Sequence, residues 1–166
     1  MGRIGSGGAS PADLEALFRL RYGEFLRVAA AITGSSDAAH DAVQEGLARA
    51  LAGRASFRGS GSLEAWLWRT VVNAARNVSA RSPLVGEGSD GAVDALQPQD
   101  GGRAEVRAAV RRLPERQRLV LFLRYYADLD YASIGAVLGI RRGTVSATLN
   151  QAHTAMRRLL DEEMIG

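Results

Sequence analysis

Two sets of side chains in this sequence have types and spacings suited to chemistry. The first is Trp66, Trp68, Arg69, Asn73, Arg76 and Asn77, behind a stretch at residues 54–62 rich in glycine, serine and arginine. Aromatic rings stack on unpaired bases and arginines hold phosphates, so such a set can grip single-stranded nucleic acid. The same residues suit a plainer arrangement, with both tryptophans in a core and the arginines on a solvated face. The second set lies near the C-terminus. With Val145 at 0° on an ideal helix, Asn150 falls at about 140°, Thr154 at about 180°, Ala147 at about 200° and Gln151 at about 240°. All four point away from the apolar stripe Val145, Leu149, Ala152, Met156 and Leu159. Asn and Gln pair bidentately with adenine, and small neighbours allow close approach to base edges. Arg141 and Arg142 at the helix start, with Arg157 and Arg158 near its end, are placed for phosphates. An ordinary solvated helix face would carry the same pattern.

Catalytic chemistry is poorly provided for. Ser56, Ser60 and Ser62 share a loop, but no His–Asp pair stands ready to activate them. His40 and Asp41 are adjacent, and adjacent helical residues point about 100° apart. Cysteine is absent and His40 and His153 are the two histidines. Disulfides, thiolate ligands and cysteine nucleophiles are thereby excluded, and a zinc site is not expected. There is no Walker-type loop and no dinucleotide fingerprint. The chain reads as a protein that is not an enzyme, with no cofactor and no metal.

The elements that position these residues are helical throughout. Leu14, Leu17, Phe18, Tyr22, Phe25, Ala29 and Ile32 recur at steps of three and four, and Gly34 stops that helix. Ser35-Ser36-Asp37 offers a cap for a second helix, which runs through Ala39, Val43, Leu47, Ala50 and Leu51 to Gly53. A third carries Leu63, Trp66, Leu67, Thr70, Val71, Ala74 and Val78 and ends near Arg81, ahead of Pro83. Val106 and Val110 then lead to Leu113-Pro114, where Pro114 can occupy the first position of a helix containing Leu119, Val120, Phe122, Leu123 and Tyr126. Residues 131–138, the turn Gly139-Ile140 and a last helix from about Arg142 to Glu163 form a candidate helix-turn-helix.

Charge divides the chain in the same places. All 21 basic residues are arginine and the net charge is +3. Residues 13–82 hold nine arginines against seven acids, and residues 103–166 hold eleven against seven. Residues 83–102 between them hold four acids and no arginine. The predicted fold class is therefore all-α, with two small helical domains at 13–82 and 104–166. A flexible acidic linker at 83–103 joins them, and a flexible tail at 1–12 precedes them. That tail holds Met1-Gly2-Arg3-Ile4-Gly5-Ser6, a short formal match to a myristoylation signal. The longest apolar runs are five residues, against the roughly 20 a membrane span needs, so no membrane insertion is expected. Lack of cysteine suits a cytoplasmic protein.

The motifs in sequence order resemble a known family. Ala39-His40-Asp41-Ala42-Val43-Gln44-Glu45, Ser56-Phe57-Arg58-Gly59, Trp66-Leu67-Trp68-Arg69 and Val72-Asn73 look like sigma region two. Leu113-Pro114-Glu115-Arg116-Gln117-Arg118 and Leu138-Gly139-Ile140-Arg141-Arg142-Gly143-Thr144-Val145 look like sigma region four. The whole resembles an extracytoplasmic-function (ECF) sigma factor of bacterial RNA polymerase. That resemblance implies an initiation factor that binds core polymerase, recognises −10 and −35 promoter elements and promotes melting. It implies docking on polymerase, with its β′ and β subunits, through Asp41, Gln44 and Glu45. The −10 element would meet Arg49, Phe57, Arg58, Gly59, Arg69, Asn73 and Arg76. The −35 element would meet Arg141, Arg142, Thr144, Ser146, Ala147, Asn150 and Gln151. It further implies an anti-sigma partner, with the chain monomeric when free or when bound to that partner.

Departures from the family pattern are specific. His40 stands where many members have Glu, Ser133-Ile134-Gly135 where Glu-Ile-Ala is usual, and Arg141 in place of a capping Ser. Ser146, Thr148, Gln151 and His153 stand where Lys or Arg is common, which leaves the reading helix nearly neutral. Two other readings fit parts of the sequence. One is a stand-alone helix-turn-helix regulator. The other is a degenerate sigma that acts as an interaction decoy.

Overall fold

The structure is a computed structural model and describes residues 8–59, 61–81 and 104–165. The myristoylation pattern and the expected linker at 83–103 lie outside the described residues. Among the described residues the regular elements are helices.

Helix α1 (Pro11–Thr33) opens on Pro11, whose missing N–H falls among the donors that lack partners at a helix start anyway. The expected tail therefore ends two residues early, since Pro11 and Ala12 are already helical. Helix α2 (Ser36–Gly53) is capped by the Ser35 hydroxyl, which accepts the Ala38 N–H at 3.3 Å. A 3-10 turn (Arg54–Ser56) follows. Helix α3 (Leu63–Arg81) is started in the same way as α2, with Ser62 Oγ accepting from the Ala65 N–H at 3.0 Å. These three helices pack on Leu14, Phe25, Val28, Val43, Leu67, Trp68 and Val71, all fully buried. The Phe25 and Trp68 rings meet at 4.4 Å in a tilted pair. Trp68 is thus core, and the plainer of its two sequence readings holds.

Helix α4 (Ala104–Arg111) and helix α5 (Glu115–Tyr125) flank Leu113-Pro114. Pro114 sits one position earlier than its motif predicts. Its ψ of 148° is extended, and its carbonyl accepts the Arg118 N–H at 3.1 Å, so it precedes the helix. Helix α6 (Tyr131–Leu138), the turn at Gly139-Ile140 and helix α7 (Arg142–Ile165) form the helix-turn-helix. Its core is Leu119, Val120, Leu123, Ile134, Val137, Val145, Leu149, Ala152 and Leu159.

The two helical units share one continuous apolar core. Helix α3 lies against α6, and α1 against α5. Across that seam the Arg76 guanidinium reaches to 3.8 Å from a Glu115 carboxylate oxygen, with both side chains partly exposed. An exposed pair of this kind contributes about 0–1 kcal/mol. Apolar packing therefore supplies most of the attraction between the units.

The turn of the helix-turn-helix explains one departure from the family pattern. The Gly135 carbonyl accepts the Ile140 N–H at 3.0 Å, which folds the backbone directly over Gly135. A Cβ at this position would lie 2.6 Å from the Ile140 carbonyl oxygen. Gly135→Ala must therefore displace backbone, at a cost of about 1–3 kcal/mol. Gly23→Ala in α1 meets nothing within 4 Å and should gain about 0.5–1 kcal/mol. Urea unfolding of both variants measures the opposite signs expected.

Candidate nucleic-acid interface

The first candidate surface is the stretch after α2 together with the outer face of α3. Ser56 Oγ donates to the Gly53 carbonyl at 2.6 Å, and the Arg54 guanidinium donates to the Leu51 carbonyl at 2.8 Å. These local bonds close the 3-10 turn and aim the chain toward residues 57–59. Arg58 and Gly59 are exposed. Phe57 departs from its expected place among the DNA-contacting residues. Only 8% of it is exposed, and its ring packs on Trp66 with centroids 5.7 Å apart. Burying an aromatic ring outweighs presenting it to water, so Phe57 anchors the loop from below. Trp66 is half-buried in the same pair and is structural. On α3, Arg69, Asn73 and Arg76 follow at steps of four and three and so share one face. Arg69 and Asn73 are exposed, while Arg76 is half-buried and leans toward Glu115.

The second surface is on α2. Asp41 and Gln44 are three residues apart and both exposed. Glu45 is half-buried and already engaged. Arg81, at the end of α3, donates to its two carboxylate oxygens at 2.9 and 3.3 Å, and Arg49 donates to it from the next turn of α2. Nothing in the local pattern of either helix forecast the Arg81 pair, because its partners come from different elements. His40 donates from Nδ1 to the Ser36 carbonyl at 2.9 Å, so it braces the start of its own helix.

The third surface is α7. Val145, Leu149, Ala152 and Leu159 are buried, and Arg141, Arg142, Thr144, Ala147, Asn150, Gln151 and Thr154 are exposed, with Ser146 half-buried. The face assigned by ideal rotation is the face that points outward. Thr148 is buried and donates from Oγ1 to the Thr144 carbonyl at 2.7 Å. The Arg141 carbonyl accepts the Val145 N–H at 3.0 Å. Its side chain carries no acceptor, so it caps none of the first α7 amides. One pair beside this face escaped the sequence reading. The Tyr125 hydroxyl, on an α5 side chain 62% exposed, lies 2.8 Å from His153 Nε2. Tyr125 lies off the apolar stripe of α5, and that is the one local signal that marks it.

Among the described residues, no group of His, Asp and Glu could hold a metal ion, and no helix is long and apolar enough to cross a membrane. Two helical units, one with a loop-and-helix polar face and one with a helix-turn-helix, define a class of helical nucleic-acid-binding protein. Comparison with known proteins narrows that class. Residues 17–82 match the family model for sigma-70 region 2, and residues 103–156 match that for sigma-70 region 4. The chain is 34% identical over 138 residues to ECF RNA polymerase sigma factor EcfG of Rhodopseudomonas palustris, covering 80% of this chain and 76% of that protein. It is 30% identical over 148 residues to ECF RNA polymerase sigma factor SigM of Mycobacterium tuberculosis, covering 87% and 75%. In fold it is similar to the sigma factor RpoE crystallised with the anti-sigma factor NepR from Bartonella quintana. That match has a TM-score of 0.70 at 22% identity and covers 90% of this chain and 97% of that one. It is also similar to CnrH in complex with the cytosolic domain of CnrY, with a TM-score of 0.71 at 18% identity, covering 93% and 91%. The chain belongs to the ECF RNA polymerase sigma factors. It is a promoter-recognising transcription initiation factor, from a family of non-enzymatic proteins.

The helix-turn-helix depends on one cap. Asp130 accepts the Ser133 N–H at 2.7 Å and starts α6. That backbone bond holds its carboxyl below the ordinary carboxylate value, helped by the positive charges of Arg142 and Arg124. The stabilisation is thus fully present above the unfolded value of about 3.9 and is lost as pH falls through the lower folded value. Asp130→Ala should destabilise the protein at neutral pH, and Asp130→Asn should largely preserve the cap. Denaturation from pH 7 to pH 2 should show the gap between wild type and Asp130→Ala narrowing at the acid end.

Proposed function

We propose that this sigma factor docks on core RNA polymerase through α2, with Asp41 and Gln44 as direct contacts and Glu45 held beside them by Arg49 and Arg81. In this reading the loop at Arg58 and Gly59, with Arg69, Asn73 and Arg76 of α3 and the exposed Arg49 of α2, takes the −10 element. Asn73 and the loop backbone receive a flipped base. Flipping costs a few kcal/mol, so a preformed pocket helps drive melting. Thr144, Ser146, Ala147, Asn150 and Gln151 of α7 enter the major groove at the −35 element, with Arg141 and Arg142 on phosphates. The observation that carries the reading is the pairing of two outward polar faces, at Asn73 and at Asn150 with Gln151, each backed by buried core on its own helix. Phe57 has a supporting part, as the floor of the loop.

The fold neighbours RpoE and CnrH were solved with anti-sigma partners, which supports an anti-sigma partner for this chain as well. Between rounds of initiation the chain is a monomer, free or bound to that partner, and it works in the cytoplasm.

Two measurements test the assignments separately. Asp41→Ala with Gln44→Ala should weaken binding to core polymerase at least about tenfold, as expected if both are among the few interface residues whose truncation costs more than about 1 kcal/mol. Helicity should not change, and unchanged binding would sink the docking assignment. Asn73→Ala should lower open-complex formation by about 1–3 kcal/mol, the worth of a good base contact, with core binding intact. Equal loss of both activities would make Asn73 structural.

A further inference from the structure

We infer that Gly8 and Ala9 form a positioning latch for the −10 loop, a role that rests on the reading of that loop given above. The chain just ahead of α1 returns to the 3-10 turn from which the loop departs. The Ala9 N–H donates to the Arg54 carbonyl at 2.9 Å. The Phe57 N–H donates to the same oxygen at 3.3 Å. One carbonyl thus gathers a donor from the loop and a donor from a segment distant in sequence, and a carbonyl oxygen has lone pairs for two.

The contact is built to close tolerances. Gly8 has a φ of +70°, in the left-handed region that side chains avoid. A Cβ on Gly8 would lie 2.7 Å from the Arg54 carbonyl oxygen and 2.8 Å from the Ala55 Cα. Both obstacles are backbone, so no rotamer change relieves them. Ala9 is partly buried against the apolar core, which keeps its amide aimed at the turn.

The loop therefore has two anchors ahead of its exposed residues. Phe57 is fixed from below by Trp66, and Arg54 from the side by Ala9. Arg58 and Gly59 follow immediately and are exposed. A pocket that must accept an extruded base gains from being held near its productive geometry in advance. The latch contributes to open complex formation through that geometry. It touches neither the face of α2 that carries Asp41 and Gln44 nor the reading face of α7.

Four variants of the full chain, each assembled with core polymerase, test this. Ala9→Pro removes the donated N–H, and Gly8→Val introduces the forbidden Cβ. Ser10→Ala leaves the backbone donors in place and serves as a control. Arg58→Ala reports on the loop itself. Core affinity, helicity and melting temperature are measured beside open-complex yield on a duplex promoter and on one already melted across the −10 element. Ala9→Pro and Gly8→Val should lower duplex open complex roughly 3- to 10-fold, the range one hydrogen bond supplies. Core affinity should stay at the wild-type level and the melted template should recover most of the loss. Ser10→Ala should match wild type. Wild-type opening by Ala9→Pro and Gly8→Val beside an impaired Arg58→Ala overturns the latch and leaves the loop reading intact. Wild-type opening by all three overturns the loop reading and the latch with it. Parallel loss of core affinity and opening makes the segment merely structural and also overturns the latch.

Discussion

Helix α3 is the constraint on which the rest of the molecule depends. Its 19 residues must bury Leu67, Trp68, Val71, Val72 and Ala75, and lie against α6. They must also present Arg69 and Asn73 to solvent. Fully burying a large apolar side chain contributes about 1.5–3 kcal/mol, and the Trp68 and Phe25 rings add their tilted contact. Against that, the pair of exposed Arg81 with half-buried Glu45 at its end contributes about 0–1 kcal/mol. The apolar set fixes how far α3 is rotated about its axis. Rotation in turn decides that Asn73 faces outward, and that Arg81 falls within reach of Glu45 at the far end. The polar surfaces follow from the core.

The same helix sets a limit on what the packed arrangement can do. The packing of α3 against α6 fixes the two units relative to each other, whereas on the proposed reading each unit addresses its own promoter element. The seam is held mainly by apolar packing, because its ion pair, Arg76 with Glu115, is long and partly exposed. In the packed arrangement Arg76 leans toward Glu115 from the face it shares with Arg69 and Asn73.

Much of this was legible in the sequence, for physical reasons that can be named. Helix ends were marked by residues that act locally, Gly34 as a stop and Ser35 as a cap. The outward face of α7 followed from rotation alone, because its apolar stripe is regular. Pro11 and Pro114 each erred by a residue or two, since proline suits both the last extended and the first helical position. What the sequence did not disclose were pairings between distant segments: Arg81 with Glu45, Tyr125 with His153, Ala9 with Arg54 and α3 with α6. No periodicity encodes these. Phe57 was misplaced for a different reason, since a motif gives residue order without saying which side chain turns inward. The role of Asn73 came from the family resemblance, and its exposure is what the structure adds.

The near-neutral reading helix acquires a physical meaning from these arrangements. Between Arg142 and Arg157 the α7 face carries small and amide side chains and no charge. Each phosphate contact contributes about −0.9 to the logarithmic salt slope of DNA affinity. With Arg142, Arg157 and Arg158 on α7 and Arg141 just ahead of it, few such contacts are available to this helix. On the proposed reading the second unit is thus weakly held to DNA in general, and its preference rests on hydrogen bonds from Asn150 and Gln151. Weak intrinsic binding suffices when the helix is delivered to its site by a tether, because linkage replaces affinity with a high local concentration. On the proposed reading the α2 docking surface then governs the encounter, and once the first unit is seated on polymerase the second needs only enough base contact to choose among sequences within its reach.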